Sequence, residues 1–385
     1  MSMNPRSSHV AAIRGLLRRH PVVAILGARQ VGKSTLARLV ARSSSSTFFD
    51  LEDDSHLARL ADPLLALSSL RGLVVLDEVQ RRSDLFPALR VLADRPRHSC
   101  RFLVLGSASP VLLRQSGETL AGRIAYRHLG GFDLSEVPVR HDIRLWCRGG
   151  FPRSFLAVND AASMEWRRGF IRTFVERDMP QLGMRVSADT MRRFWTMLAH
   201  YHAQTWNASE FARAFGVADT TVQHYLDLLT SALVVRQLQP WHENIGKRQV
   251  KSPKVYLSDS GLLHGLLNLP TQQDLESHPK VGASWEGFVI EQLIVHLRAE
   301  PEECFFWATQ SGAELDLLVV RGRKRRGFEI KRTTAPAVTP SMRHALTDLK
   351  LGSVDVVHAG ESTYPLQENI RAVACARLTR DVAPL

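Results

Sequence analysis

Residues 27 to 34 have the types and spacing of a loop that binds phosphate groups. An apolar run at 22–26 precedes the loop, a helix-like stretch at 35–40 follows it, and the loop reads Gly27-Ala28-Arg29-Gln30-Val31-Gly32-Lys33-Ser34. In a P-loop of this kind, backbone amides and the helix N-terminus face the phosphates. The sequence predicts that residues 27–35, from Gly27 to Thr35, bind a nucleotide. Lys33 would reach its β and γ phosphates, and Ser34 would bind Mg²⁺. The alternative is a glycine turn with an unrelated lysine.

An acidic pair, Asp77 and Glu78, directly follows the apolar run 73–76. Ligands of open α/β sheets bind where the strands end, so Asp77 is predicted to position Mg²⁺ there. Glu78 is predicted to orient and activate the attacking water. The alternative is that the pair only caps a helix.

Two further residues are candidates for contact with the nucleotide. Ser107 follows the apolar run 102–105 and is predicted to contact the γ-phosphate or the water, although a plain turn fits equally well. Arg123 precedes the run 124–127 and is a candidate arginine finger that acts in a neighbouring subunit.

A second group of charged residues lies near the end of the chain. Glu314 and Asp316 alternate along one apolar run, and Glu329 and Lys331 alternate along the next. Because side chains two residues apart share a face of a strand, a hairpin of these runs would bring carboxylates and a lysine together. Such a set suits a divalent ion, Mg²⁺ or Mn²⁺, which would activate water. The alternative is a set of solvent-facing charges on an amphipathic hairpin.

The elements that must position the first group alternate between strand and helix. Strands are predicted near 22–26, 47–51, 73–76, 102–105 and 124–127, and helices near 35–40, 56–70 and 85–93. This alternation favours a parallel sheet covered by helices on both faces. If the sheet is similar to those of P-loop proteins, the 102–105 strand would lie between the 22–26 and 73–76 strands. The predicted nucleotide domain covers residues 1–130.

The middle of the chain is predicted to be helical and then to contain a winged helix. Residues 131–202 are read as a helical lid or linker, and residues 203–265 as a helix-turn-helix followed by two strands. The exposed face of its second helix would include Thr220, Gln223, His224 and Asp227, which are weak readers of bases. DNA contact is instead assigned to the basic residues Lys247, Arg248 and Lys251, with packing against protein as the alternative.

These sequence motifs resemble those of two known protein families. The P-loop, Asp77-Glu78, Gly106-Ser107 and Leu120-Ala121-Gly122-Arg123 resemble the AAA+-related prokaryotic ATPases with a C-terminal domain of unknown function. Arg148-Gly149-Gly150-Phe151-Pro152 and Glu176-Arg177-Asp178 extend that likeness. It implies an α/β fold with an AAA+/ASCE-like parallel sheet, ATP binding and ATP hydrolysis.

The C-terminal residues 280–385 resemble the PD-(D/E)xK nuclease superfamily. The resemblance implies that Asp316 and Glu329 hold a metal ion, that Lys331 assists catalysis, and that Glu286 or Glu291 completes the site. Leu315 stands where many members have proline. Such a domain would be an active nuclease or a nuclease-like fold without activity.

The charge, the cysteine spacing and the apolar runs of the sequence limit the classes of protein to which the chain can belong. The net charge of +12 favours a polyanionic partner such as nucleic acid, although GC-rich coding also produces many arginines. The four cysteines have neither zinc-ligand nor redox spacing. No apolar run is long enough to span a bilayer, and residues 1–19 lack the apolar core of a signal peptide. A cytoplasmic protein without membrane contact is therefore expected.

The resulting hypothesis is a Mg²⁺-dependent ATPase whose nucleotide state controls a DNA- or protein-binding C-terminal region. One alternative is a nucleotide-dependent DNA nuclease of a defence or mobile-element system. Another is a regulatory nucleotide switch with an inactive nuclease-like domain. All three are compatible with a monomer or a homo-oligomer.

Overall fold

The computed structural model describes residues 6–42, 45–82, 84–95, 100–106, 116–181, 186–242 and 251–385. The chain divides into two compact units. The first is Met1–Gly131 with Ser231–Leu233, and the second is Phe132–Thr230 with Val234–Leu385. Each unit contains one sheet.

The first unit is built on a five-stranded sheet in the order β2-β3-β4-β1-β5. Its strands are β1 (Val22–Leu26), β2 (Ser46–Asp50), β3 (Gly72–Asp77), β4 (Cys100–Gly106) and β5 (Ile124–His128). All neighbouring strands run parallel. The strand β4 lies between β1 and β3, as predicted. The predicted P-loop NTPase fold class is therefore confirmed.

Both faces of this sheet are covered. Every residue of β1 is buried, which fits a parallel strand between two helical layers. The sheet's strands share an apolar core with helical residues such as Leu67, Phe86, Leu89 and Leu92. The helices described in this unit are Ser7–Arg19, Lys33–Ala41, Asp54–Arg59, Pro63–Ser68 and Leu85–Ala93.

The single helix predicted over 56–70 is wrong, because the chain forms two short helices there, Asp54–Arg59 and Pro63–Ser68. Pro63 has no backbone N–H and disfavours the helical conformation of the residue before it. Asp62 is extended instead, and its Oδ1 accepts the Leu65 N–H at 3.0 Å. The sequence Asp-Pro therefore ends one helix and caps the next.

The second unit is built on a nine-stranded mixed sheet in the order β13-β14-β12-β11-β10-β9-β7-β8-β6. Its strands are β6 (Gln204–Thr205), β7 (Val235–Pro240), β8 (Lys254–Leu257), β9 (Cys304–Ala308), β10 (Glu314–Arg321), β11 (Lys324–Lys331), β12 (Val354–His358), β13 (Tyr364–Gln367) and β14 (Ile370–Ala374). β9, β10 and β11 form an antiparallel meander, and β12 lies parallel to β11.

Helices surround this sheet. Those described are Asp142–Arg148, Pro152–Phe155, Asp160–Thr173, Met179–Gln181, Ala188–His200, Ala208–Phe215, Asp219–Ser231, Ser260–Leu266, Gln272–Glu276, Val281–Leu297, Pro340–Asp348 and Leu378–Asp381. The helix Val281–Leu297 buries Phe288, Val289 and Leu293 in an apolar core cluster of the unit and packs on β10 and β11. The three regions that the sequence analysis separates after residue 130 all contribute to this unit.

The region of the predicted winged helix contains two helices, Ala208–Phe215 and Asp219–Ser231, on either side of Gly216. Gly216 has a left-handed conformation (φ 66°), which glycine adopts without steric cost. β7 and β8 pair antiparallel after the second helix. β7 also pairs in parallel with β9, so the two strands continue the larger sheet instead of standing apart as a free wing.

Candidate functional site

The predicted phosphate-binding loop connects β1 to the helix Lys33–Ala41. Gln30 and Gly32 have left-handed conformations, with φ of 63° and 95°. A Cβ atom at Gly27 would overlap the carbonyl oxygen of Leu129, so a larger residue does not fit there. The loop thus turns back over the N-terminus of its helix, where backbone N–H groups favour an anion.

Lys33 is held within this loop. Its Nζ donates to the carbonyl oxygens of Gly27 at 2.9 Å and Ala28 at 3.0 Å, and the residue is 6% exposed. Ser34, the next residue, is exposed. The ammonium group and the hydroxyl therefore lie at the same end of the loop. Their types fit a nucleotide phosphate and a divalent ion.

The carboxylates of Asp77 and Glu78 lie at the carboxyl end of β3, at the same edge of the parallel sheet as the loop after β1. Asp77 Oδ1 accepts the backbone N–H of Glu78 at 3.0 Å. Glu78 has a left-handed conformation (φ 57°), which is uncommon for a residue other than glycine. Backbone strain of this kind is found most often at functional sites.

The side chain of Glu78 is already in contact with polar groups. Gln80 Nε2 donates to Glu78 Oε2, and Arg29 of the loop lies 4.0 Å from the same oxygen. Arg29 also lies 3.7 Å from Glu52, which is 3.9 Å from Arg81. A chain of opposite charges therefore connects the phosphate-binding loop with the acidic end of β3.

Arg123, the candidate arginine finger, is paired within its own chain. Its guanidinium binds both carboxylate oxygens of Asp94, with Nη2 3.0 Å from Oδ2, and Nη1 donates to Ala121 O at 2.8 Å. The hydrogen bond from Arg123 lowers the pKa of Asp94. Ser107 lies outside the described residues.

Arg6 supports the loop in a way that the sequence analysis missed. Its Nη1 donates to Val31 O and its Nη2 to Gly130 O, both at 3.2 Å, and the residue is buried. Arg6 thereby connects the loop to the segment after β5. An arginine far upstream of the glycine motif carries no local signal for this role.

A second constellation lies in the other unit, on the hairpin of β10 and β11. Leu317 pairs with Phe328, which places Asp316 and Glu329 in adjacent positions across the two strands. Asp316 Oδ2 accepts the backbone N–H of Ile330 at 2.7 Å. Both acidic residues are buried, with exposures of 6% for Asp316 and 5% for Glu329.

Lys331 contributes an ammonium group, and Glu329 leaves an oxygen unmatched. Lys331 Nζ lies 2.7 Å from Glu329 Oε1. Glu329 Oε2 is buried, and it has no hydrogen-bond partner within the described part of the chain. A buried carboxylate oxygen without a donor is unfavourable unless a cation or a proton satisfies it.

Glu286 joins this set from the helix Val281–Leu297. Its Oε1 accepts a hydrogen bond of 2.6 Å from the hydroxyl of Tyr256 and lies 3.5 Å from Lys254 Nζ. Lys254 Nζ also contacts Glu314 Oε1. We call these residues the acidic cluster; its members are Glu286, Glu314, Asp316, Glu329, Lys254, Lys331 and Tyr256.

The charges of the acidic cluster act strongly on one another. Burial raises the pKa of Asp316 well above its usual value, and Glu286 and Glu329 raise it further, while Lys254 and Lys331 act in the opposite direction. Burial also raises the pKa of Glu329. Carboxylate oxygens crowded in this way are stabilised by a divalent cation such as Mg²⁺ or Mn²⁺, which prefers such ligands.

Glu291, the sequence's alternative to Glu286, does not join the cluster. Both of its carboxylate oxygens bind the guanidinium of Arg236, with Nη2 2.9 Å from Oε2. Lys254 and Tyr256 are the members that the sequence analysis missed. Lys254 follows the predicted DNA-contacting residue Lys251 by three positions, but its side chain is only 8% exposed and faces carboxylates.

The predicted DNA-facing residues are partly used inside the fold. Gln223 accepts from Trp206 Nε1 at 2.7 Å and donates to Asp227 at 2.8 Å, and Asp227 also accepts from Gln237 at 3.0 Å. This network connects the second helix to β7. Thr220, His224 and Asp227 are exposed as predicted, whereas Gln223 is half-buried. Lys251 is exposed. Lys247 and Arg248 lie outside the described residues.

None of the helices described here is long and apolar enough to cross a lipid bilayer.

Comparison with known proteins identifies three family regions. Residues 19–138 match the family described as AAA domain, residues 140–273 a domain of unknown function (DUF8612), and residues 281–378 a domain of unknown function (DUF4143). The chain is 52% identical over 368 residues to Uncharacterized protein Rv2008c of Mycobacterium tuberculosis (strain H37Rv), and equally to Uncharacterized protein Mb2031c of Mycobacterium bovis. Each alignment covers 96% of this chain and 83% of the mycobacterial protein.

Among solved structures, the Walker-type ATPase PABY2304 of Pyrococcus abyssi is similar at 15% sequence identity and a TM-score of 0.49. The match covers 68% of this chain and 95% of the archaeal chain.

Proposed function

Because this chain belongs to the same family as the mycobacterial protein Rv2008c and carries an AAA-type P-loop ATPase domain, we propose that it binds ATP with Mg²⁺ and hydrolyses it. We further propose that the nucleotide state controls the binding of DNA or protein by the second unit. The single observation that carries the ATPase proposal is the placement of Lys33. Its ammonium is fixed on the carbonyls of Gly27 and Ala28, at the sheet edge where Asp77 and Glu78 also lie.

The residues of the loop fit a triphosphate. The amides of residues 27–35 would bind the phosphate oxygens. The ammonium of Lys33 would leave the loop carbonyls and bind the β and γ phosphates. Ser34 and Asp77 would hold Mg²⁺, which would neutralise phosphate charge. Their oxygen ligands suit that ion.

Glu78 is the proposed general base. It would orient a water molecule whose oxygen forms a bond to the γ-phosphorus while the bond to the ADP oxygen breaks. The water proton passes to the carboxylate or to the released phosphate. In the present arrangement Gln80 donates to Glu78 Oε2 and Arg29 lies 4.0 Å from the same oxygen, so the carboxylate must turn towards the water when nucleotide is bound.

The test is Mg²⁺-dependent phosphate release by the full chain, with and without DNA. We expect Glu78→Gln to bind ATP normally but to lose about 10²–10⁴-fold in turnover, the usual contribution of a general base. Lys33→Ala is expected to lose ATP binding, whereas Lys324→Ala, at an exposed lysine of β11, should behave as wild type. Wild-type turnover by the Lys33→Ala or Glu78→Gln variant would contradict the proposal.

Arg123 is proposed to act on a neighbouring subunit's nucleotide after its pair with Asp94 opens. The Arg123→Ala variant should then keep ATP affinity and lose turnover in the assembled state. Unchanged turnover would assign Arg123 to the Asp94 contact alone.

The acidic cluster supports a second candidate function, metal-dependent cleavage of a phosphodiester. The helix Val281–Leu297, the meander β9–β10–β11, the helix Pro340–Asp348 and the parallel strand β12 follow one another in the order αβββαβ, which is consistent with the resemblance to PD-(D/E)xK nucleases. Glu329 Oε2 is buried and has no hydrogen-bond partner among the residues that the structure describes, and this is the specific observation that favours a cation there. Glu286, Asp316 and Glu329 would hold Mg²⁺ or Mn²⁺, and Lys331 would stabilise phosphate charge.

Cleavage of DNA with Mg²⁺ or Mn²⁺ tests this second function. Asp316→Ala and Lys331→Ala should abolish it, and persistent cutting by these purified variants would exclude the cluster. Salt-sensitive DNA binding without cleavage would instead support a nucleotide switch with an inactive nuclease-like domain. In that case charge reversal at Lys247, Arg248 and Lys251 should weaken binding.

A further inference from the structure

Lys254 is the one cationic member of the acidic cluster that comes from outside the helix Val281–Leu297 and the β10–β11 hairpin. It is the first residue of β8, and its side chain is 8% exposed. Its ammonium contacts Glu314 and lies 3.5 Å from Glu286 Oε1. Burial opposes its charge, but Glu286, Asp316 and Glu314 outweigh that effect and raise the pKa of Lys254 above its usual value. Lys254 is therefore a buried cation surrounded by carboxylates.

The cluster contains more carboxyl groups than ammonium groups. Its four carboxylates, at Glu286, Glu314, Asp316 and Glu329, face two ammonium groups. The unmatched Glu329 Oε2 lies within the same cluster. Unbalanced buried charge is costly, so the arrangement favours one further divalent cation.

We propose that Lys254 is a built-in competitor of that cation: its ammonium shares Glu286 with Tyr256 and must withdraw from Glu286 before a divalent ion takes the carboxylate. The inference rests on the metal site of the second candidate function above. The inference adds Lys254 as a residue that sets the affinity of the site for the cation. That affinity determines the ion concentration at which the site fills.

The geometry indicates that Lys254, and not Tyr256, is the group that withdraws. Tyr256 makes the shorter contact with Glu286, at 2.6 Å, and is completely buried. Lys254 makes the longer one, at 3.5 Å, and has a second carboxylate in Glu314. A lysine stem has several rotatable bonds, so its ammonium can remain with Glu314 while it leaves Glu286.

The test measures Mn²⁺ binding to the full chain without nucleotide, by the decrease in the electron paramagnetic resonance signal of free Mn²⁺. The binding that Asp316→Asn removes is taken as that of the cluster. We expect Lys254→Met to bind Mn²⁺ about tenfold more tightly, because a like charge beside the ion is removed. Lys254→Arg, which keeps the charge, should remain close to wild type.

Lys254→Gln is measured alongside, since it keeps a polar head group if the methionine variant folds poorly. Weaker Mn²⁺ binding by the neutral variants would overturn the inference, because Lys254 would then hold Glu286 in place. If Asp316→Asn also lost binding, the metal site itself would still be supported. An absence of binding that depends on Asp316 would contradict the metal site and the inference together.

Discussion

The hydroxyl of Tyr256 donates a hydrogen bond of 2.6 Å to Oε1 of Glu286. The contact joins β8, which continues from the helix-turn-helix region, to the helix that carries a candidate metal ligand. Burial and the nearby carboxylates of Glu286, Asp316 and Glu314 raise the pKa of Tyr256 well above its usual value, so the phenol keeps its proton and remains a donor. The strand β8 thus orients Glu286, although β8 is not part of the αβββαβ series of elements that begins with the helix of Glu286.

Removal of this hydroxyl should destabilise the second unit. We expect Tyr256→Phe to lower the free energy of unfolding by about 1–3 kcal/mol, because the half-buried carboxylate of Glu286 loses a donor. Urea denaturation followed by circular dichroism measures the change. Tyr364→Phe is the matched control, since no hydrogen bond of the Tyr364 hydroxyl is found among the described residues. Equal effects of the two variants would contradict a special role for Tyr256.

A methyl group at Gly27 should damage the phosphate-binding loop. The new Cβ of Gly27→Ala would overlap the carbonyl oxygen of Leu129, which is fixed by the hydrogen bond from Leu129 N to Leu26 O at 2.8 Å. We expect a loss of about 1–3 kcal/mol in stability, the usual range for overpacking, and a loss of ATP affinity.

Gly15→Ala is the control for this variant. Gly15 lies within the helix Ser7–Arg19, where a Cβ meets only the flexible end of Arg18 at 3.8 Å. Alanine should leave the protein as stable or stabilise it by up to about 1 kcal/mol. A Gly27→Ala protein with wild-type melting temperature and ATP affinity would show that the loop can move away from Leu129.

The fold of the first unit could be predicted in detail because the sequence signals that indicate it are local. The strand, the loop and the helix around Lys33 are contiguous in sequence, and the apolar runs that become β1, β3 and β4 are buried throughout as expected of parallel strands. The exception is the 56–70 segment, where the sequence did carry a signal in Asp62-Pro63.

The acidic cluster could be anticipated only in part. Period-two alternation places Asp316 and Glu329 on strands that pair, which a sequence pattern can indicate. Lys254 and Tyr256 come from β8, and their position depends on β7 pairing with both β8 and β9. The periodicity of a sequence does not indicate which strands become neighbours in a sheet. From the sequence, Lys254 resembles part of a basic surface, but in the structure it is surrounded by carboxylates.

The buried histidines predict how stability depends on pH. Burial lowers the pKa of His264 to about 3, and the residue contacts Cys147 O at 2.9 Å and Ser284 Oγ at 2.6 Å. Its folded-state pKa lies below the unfolded value of about 6.5, so only the unfolded chain gains a proton as the pH falls from about 6.5 towards 3. Stability should therefore fall over that window, by up to about 1.4 kcal/mol per pH unit.

Urea denaturation at a series of pH values between about 7 and 5 checks this effect. His264→Gln should reduce the dependence on pH even if it lowers stability at neutral pH, because glutamine does not titrate. The remaining slope includes His202, whose pKa burial also lowers to about 3. His224→Gln, at an exposed histidine, should keep the wild-type slope. If His264→Gln retained the full slope, another group would have to account for the loss of stability in acid.

Two glutamates on the helix Val281–Leu297 give the sharpest test of the candidate metal site. Glu286 belongs to the acidic cluster, whereas Glu291 binds Arg236 through both oxygens. We expect Glu286→Gln to weaken Mn²⁺ binding by tenfold or more, because a charged ligand is replaced by a neutral one. Glu291→Gln should leave Mn²⁺ affinity unchanged and reduce stability, since it leaves the half-buried guanidinium of Arg236 without its charge partner. The opposite assignment of the two effects would place the metal beside Arg236 and would contradict the cluster as the site.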